Sequence, residues 1–225
     1  MDRRGVISQG KEGVKVWEGI IGERVIRDAV TLFVVINPIG EVIPIFLAAS
    51  RDLSPIERQQ AARRGTLIAT GILLGFIAGG QILLHMLEIR LASFQIAGGI
   101  VLFLFGLKMI FETEQPHNTQ SPGPKPDIAV FPLAMPAIAG PGAMLAVVVL
   151  TDNDRFSIPE QAVTTLILLC ILGFTFGLLS FSDRIHRLIG DAGANIVSRV
   201  MGLILSALAV ETVLGGINAL EISAK

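Results

Sequence analysis

Two short segments carry the residues best suited to chemistry. The first reads Asn37-Pro38-Ile39-Gly40-Glu41, with Pro44 close behind. The second contains Pro132, Pro136 and then Ala139-Gly140-Pro141-Gly142-Ala143. Each lies inside a long apolar stretch, where a helix would otherwise run unbroken. A proline in a helix interior removes one backbone donor and clashes with the carbonyl four residues back, at about 3 kcal/mol. Five such residues in two regular helices would cost on the order of 15 kcal/mol by simple addition, so both helices are expected to be broken. Irregular backbone at membrane depth survives where it is buried in protein or lines a watery cavity. A half-helix beginning there presents free N–H groups and partial positive charge, suited to a carboxylate. Freed carbonyls, with Asn37 or Glu41, suit an ammonium group or a coupling cation. The candidate solute or ion site is therefore Asn37, Pro38, Gly40 and Glu41 with Ala139, Gly140, Pro141 and Gly142. Glycine-rich walls favour a small solute such as glycine, alanine or serine. The alternative reading is that proline and glycine only kink these helices for packing, as a membrane partner or assembly protein would use them.

The elements that must position these segments are transmembrane helices. Of the 225 residues, 52% are apolar and 16% charged, and mean hydropathy is +0.67. Those values place the chain in a membrane class. A spanning helix needs about 20 apolar residues, and six windows meet that need: 29–49, 65–84, 91–111, 128–151, 161–182 and 200–220. Glu41 and Glu211 lie within the first and last, and a carboxylate at that depth normally faces a partner or a pathway. Glu41 is the candidate for binding an ammonium group or carrying a coupling proton. If it lies near the interface, it is simply solvated. Lys108 and Glu211 could pair, or Lys108 could extend to the surface.

Residues 1–24 carry both signs of charge and no continuous apolar core, and read as a frayed or interfacial leader. The proline-rich stretch 112–127 reads as a water-exposed linker. It separates a first three-helix repeat, 25–111, from a second, 128–222. Pro38 and Pro141, Ser54 and Ser157, Glu57 and Glu160, and Gly99 and Gly202 all pair at one offset of 103 residues. Ser54 to Glu57 and Ser157 to Glu160 both spell a helix-opening capping box. With three crossings in each half, the second half enters the membrane upside down, the inverted-repeat plan common among secondary transporters. The expected fold is all-α integral membrane, with six transmembrane helices as two inverted repeats and broken first and fourth helices. Arginines after the first and fifth spans tip the amino terminus to the outside.

Other chemistries find no support in the sequence. A net charge of −1 with scattered basic residues gives no phosphate-binding surface, so nucleic acid is not an expected partner. Cys170 has no second thiol to pair with, and His85, His117 and His186 have no metal-ligand spacing. No Walker sequence and no nucleophile and base set within the spans points to an enzyme. The expected partners are the lipid bilayer and a small-molecule solute. No cofactor is expected beyond a coupling proton or sodium ion, and self-association as a homo-oligomer is compatible with this plan.

Asn37-Pro38 with the apolar run to Phe46, Ile96-Ala97-Gly98-Gly99, Ser198-Arg199-Val200-Met201-Gly202, and above all Phe131-Pro132-Leu133-Ala134-Met135-Pro136 leading into Ala139-Gly140-Pro141-Gly142 resemble the MarC family of bacterial inner-membrane proteins. The resemblance covers roughly residues 25–220. It implies a six-helix protein near the LysE-type exporters, in a family some of whose members are described as transporters of small neutral amino acids. Two residues depart from the family's pattern: glutamine is usual at the position of Glu211, and the position of Glu41 varies. That leaves the two breaks as the better candidates for a shared mechanism.

Overall fold

In the structure, a computed structural model, residues 22–111 and 127–223 are described. Every regular element among them is helical. Helix α1 covers 22–36, a π-type turn follows at Pro38–Val42, and α2 is Ile43–Ala49. These form one apolar segment, Gly22–Ala49, of 28 residues. Next come α3 (Pro55–Met86) and α4 (Leu91–Phe111). A π-type segment at Ala129–Ile138 then meets α5 (Pro141–Leu150) at a bend of 52°. The chain ends with α6 (Ile158–Ser180) and α7 (Ser182–Ser223), the latter interrupted at Gly190, where φ is +66°. Among the described residues, five segments are long and apolar enough to cross a bilayer, or six when the bent pair is counted as one span.

Several boundaries differ from the sequence expectation. Helix α1 already runs at residue 22, so 22–24 belong to the first span; the rest of the expected leader lies outside the described residues. The first span is not split in two: it continues through a π-type turn, and only the fourth is sharply bent. The linker 112–126 lies outside the described residues, whereas Asp127, expected within it, accepts the Ala129 N–H at 3.1 Å.

Both expected capping boxes are formed. The Ser54 N–H donates to Glu57 Oε2 at 2.8 Å and the Glu57 N–H returns to Ser54 Oγ at 3.4 Å. The Ser157 N–H donates to Glu160 Oε2 at 2.8 Å. Each box satisfies helix-opening donors that would otherwise face the membrane boundary.

Leu32, Ile36, Phe46, Leu73, Leu133, Ile138 and Leu168 are completely or almost completely buried at the centre. Leu67, Ile82, Leu104, Leu166 and Leu203 point outward. That inversion of the usual soluble pattern is what a lipid solvent permits, because tails are as apolar as leucine.

Without a hydrophobic drive between helices, close backbone approach must hold them together. Helices α4 and α7 pack as an antiparallel pair through small residues. A Cβ added at Gly106 would lie 2.9 Å from the Gly202 carbonyl oxygen, and one at Gly202 would lie 2.8 Å from the Gly106 carbonyl oxygen. Neither position has room for a side chain. The contacts are also reciprocal under the sequence offset. Gly99 meets Ala209 and Val213, and Gly202 meets their offset counterparts, Gly106 and Ile110.

Substituting Gly106→Ala should lower stability in detergent micelles by about 1–3 kcal/mol through overpacking. Gly75→Ala, whose added Cβ meets nothing within 4 Å, should leave stability unchanged or raise it by up to about 1 kcal/mol. Thermal unfolding of the two variants beside the parent checks the contrast.

Candidate solute site at two helix breaks

The first break is built around Asn37. Its backbone is left-handed, with φ 50° and ψ 59°, a conformation that asparagine tolerates because its short amide can bond locally. Here Asn37 Oδ1 accepts the Gly40 N–H at 3.1 Å. Pro38 brings no donor, and the chain rejoins the helix by wider bonds, with the Val42 N–H reaching the Asn37 carbonyl at 3.3 Å and the Ile43 N–H reaching that of Pro38. Gly40 permits this closure, since a Cβ there would lie 2.7 Å from Asn37 Oδ1.

Asn37 is only 1% exposed, so its second function has to be met inside the protein. The side-chain Nδ2 donates to the Met109 sulfur of α4 at 3.3 Å. A thioether is a weak acceptor. The amide thus keeps a donor that a carboxylate oxygen would satisfy better. Glu41, half-buried on the same turn, has Lys108 of α4 as its electrostatic neighbour.

The second break unwinds further. Phe131 (φ −131°, ψ 125°) and Met135 (φ −138°, ψ 126°) are extended, as residues before proline prefer. Both following peptide bonds, to Pro132 and Pro136, are cis. The Ala139 N–H closes onto the Ala134 carbonyl at 2.9 Å. Gly140 then caps α5 in an extended conformation, with no side chain to satisfy the new helix start. Pro141 fills the first helical position, where a missing N–H costs nothing. Gly142 and Ala143, both buried, carry the next two N–H groups of that uncapped first turn.

The two breaks adjoin. A Cβ at Gly142 would come within 3.1 Å of Val35, two residues before Asn37, and would strike Leu102 of α4. The π-type turn after Asn37 also packs on the π-type segment before Gly140. The eight expected site residues therefore fall on the turn after Asn37 and on the junction at which the bent fourth span enters α5, two neighbouring places inside the bundle. Together they place the uncapped start of α5 beside the turn that carries the Asn37 amide and Glu41.

Two features were not read from the sequence. Met109 looks like ordinary packing on an apolar helix, and only the fold brings it across 72 residues to Asn37. Asp28 is 1% exposed and accepts the Thr164 hydroxyl at 2.8 Å, with Arg24 and Arg27 each at 3.5 Å. The spacing of Arg24 and Asp28, four apart, signals a shared helix face once α1 is extended back to residue 22. A separate cleft of about 450 Å³ opens where α3 meets α4, lined by Gln81, His85, Glu88, Arg90, Asp152 and Asp154; no break residue lines it.

Comparison with known proteins agrees with this architecture. The sequence profile of the MarC family, described as integral membrane protein, matches residues 22–220. The inner membrane protein YhgN of Escherichia coli K12 is 36% identical over 196 residues, covering 86% of this chain and 96% of that protein. A membrane protein of Methanocaldococcus jannaschii is 33% identical over 192 residues, covering 84% and 93%. The Bacillus subtilis membrane protein YvbG is 31% identical over 199 residues, covering 85% and 92%. No solved structure matches.

The geometry ranks substitutions at Asn37. Glycine keeps the left-handed backbone but loses both side-chain bonds, at about 1–2 kcal/mol. Alanine loses the same bonds and adds backbone strain, for about 1–2 kcal/mol more. Denaturant or thermal unfolding in micelles should give the order Asn, Gly, Ala from most to least stable.

Proposed function

The chain belongs to the MarC family of multi-pass integral membrane proteins, and from that premise we propose that it is a secondary transporter of a small polar solute, most simply a neutral amino acid. The observation that carries this reading is the meeting of two proline breaks inside the bundle. One offers a buried asparagine amide held by a weak sulfur acceptor, and the other offers an uncapped helix start. The solute carboxylate would take the α5 donors and the Asn37 amide, and its ammonium group would face Glu41. A proton on Glu41 or a sodium ion at the freed carbonyls would supply the coupling.

Movement follows from the internal symmetry in this reading. Residues 25–111 and 128–222 act as inverted three-helix repeats, and the reciprocal contacts of Gly99 and Gly202 across α4 and α7 support that relation. Each repeat contributes one break, so rocking one repeat against the other would expose the site to alternate faces. The protein would work in a bacterial inner membrane with its amino terminus outside.

Purified protein in liposomes should exchange labelled glycine and alanine saturably. Pro141→Ala, which frees the φ angle at the first position of α5 and adds an N–H to that turn, should lower exchange by altering the helix start at the site. Glu41→Gln should remove the difference between two pH values if Glu41 carries the proton. Absence of exchange from folded protein across a broad amino-acid panel would remove the amino-acid assignment and favour a packing or assembly role.

A further inference from the structure

Two ion pairs outside the site occupy related positions on opposite faces of the bundle. Arg24, near the start of α1, places Nη1 2.7 Å from Oε1 of Glu160 in the first turn of α6. Asp127, just before the fourth span, places Oδ2 2.8 Å from Nη2 of Arg64 on α3. Residues 24 and 127 are separated by the same 103 positions that relate the two prolines and the two capping boxes. Each pair ties the opening segment of one half to the second helix of the other half with the signs exchanged, although the partners sit at different heights: the offset takes Glu160 to Glu57, not to Arg64. Tracing the spans puts them on opposite faces: α1 and α6 both start at one, and α3 and the fourth span both start at the other.

We propose that these pairs are opposed locks, each holding one face of the transporter closed across the boundary between the two halves. The inference rests on the alternating-access reading above and adds the contacts that decide which face opens. Both locks are closed here, an occluded arrangement, and they are unequal. Arg24 is 14% exposed, lies 3.7 Å above the ring of Phe156 and has Asp28 beside it. Arg64 and Asp127 are 62% and 43% exposed. Glu160 is 46% exposed, so the two carboxylates meet water alike and the difference lies in the arginines: Arg24 is covered, whereas Arg64 stands open to water and salt. The face bearing Arg64 is therefore the easier one to open.

Glu160 also closes a capping box, so the arginines are the cleaner targets. The full chain with Cys170→Ser, reconstituted in vesicles, would carry spin labels at Leu87→Cys and Asp154→Cys on the Arg24 face. A second preparation would carry them at Arg51→Cys and Phe181→Cys on the opposite face. Pulsed electron paramagnetic resonance then reads the share of long distances. Arg24→Gln should raise that share about tenfold on its own face only, the loss of a charge-assisted hydrogen bond. Arg64→Gln should raise it about two- to fivefold on the other face only. Arg24→Lys and Arg64→Lys, which keep the charge, should restore the parent distributions. Unmoved distributions, or both faces widening together, would overturn the proposal, as would lysine variants that behave like glutamine. Glycine exchange in the same vesicles separates the two readings. Shifted distances with no exchange of glycine or of the wider amino-acid panel support the locks and remove the solute assignment, whereas exchange with fixed distances overturns the locks alone.

Discussion

The constraint on which this structure turns is that backbone amides in hydrocarbon must be satisfied within the chain, because lipid offers them nothing. Prolines at 38, 132 and 136 defeat the regular ladder in two spans, and Pro141 opens the helix that follows the second gap. The protein responds differently in each. At the first, the Asn37 side chain takes the Gly40 N–H and the helix resumes through a π-type turn. At the second, no side chain repairs the gap at Gly140, and the span bends by 52°. Donors left at the second break and the constrained amide at the first are the polar groups from which a site can be made.

The surrounding helices bear on the breaks indirectly. Lipid supplies no hydrophobic pressure to hold α4 against α7, so their glycines bring backbone to backbone. That approach also places Met109 beside both Gly202 and Asn37. A change in the α4 and α7 packing would therefore move the sulfur that holds the amide. In the transporter reading, this links the arrangement of the two halves to the availability of the Asn37 donor, with no need for a separate messenger between them.

Much of the fold was legible because lipid demands long apolar runs and helix starts demand caps. The window 91–111 coincides with α4, and both S-x-x-E boxes fold as written. The errors have a common cause. Arg24 fell within the expected leader, and Arg27 and Asp28 before the apolar window at 29, yet all three ride on the first turns of α1 and bond to one another and to α6. Charges on Glu57, Arg63 and Arg64 likewise delay the apolar window to residue 65, while the Ser54 capping box marks the true start of α3 nearly three turns earlier. Hydropathy marks where a helix meets hydrocarbon; hydrogen bonding decides where it begins. The site was visible as proline and glycine punctuation, but the depth of each break was not, since it depends on whether a neighbouring side chain can replace the lost bonds. Met109 left no local signal, because a methionine on an apolar helix is most often packing.

The central claim is that the two breaks line a space reached by water and solute. Single cysteines at residues 37–41 and 139–143, in a Cys170→Ser background and in intact membranes, test it through the rate of reaction with a water-soluble thiol reagent. The account predicts labelling at positions on both segments, slowed by glycine or alanine. Cysteines that stay unlabelled from either face on both segments, in protein that still folds, would contradict it and leave the prolines as packing kinks.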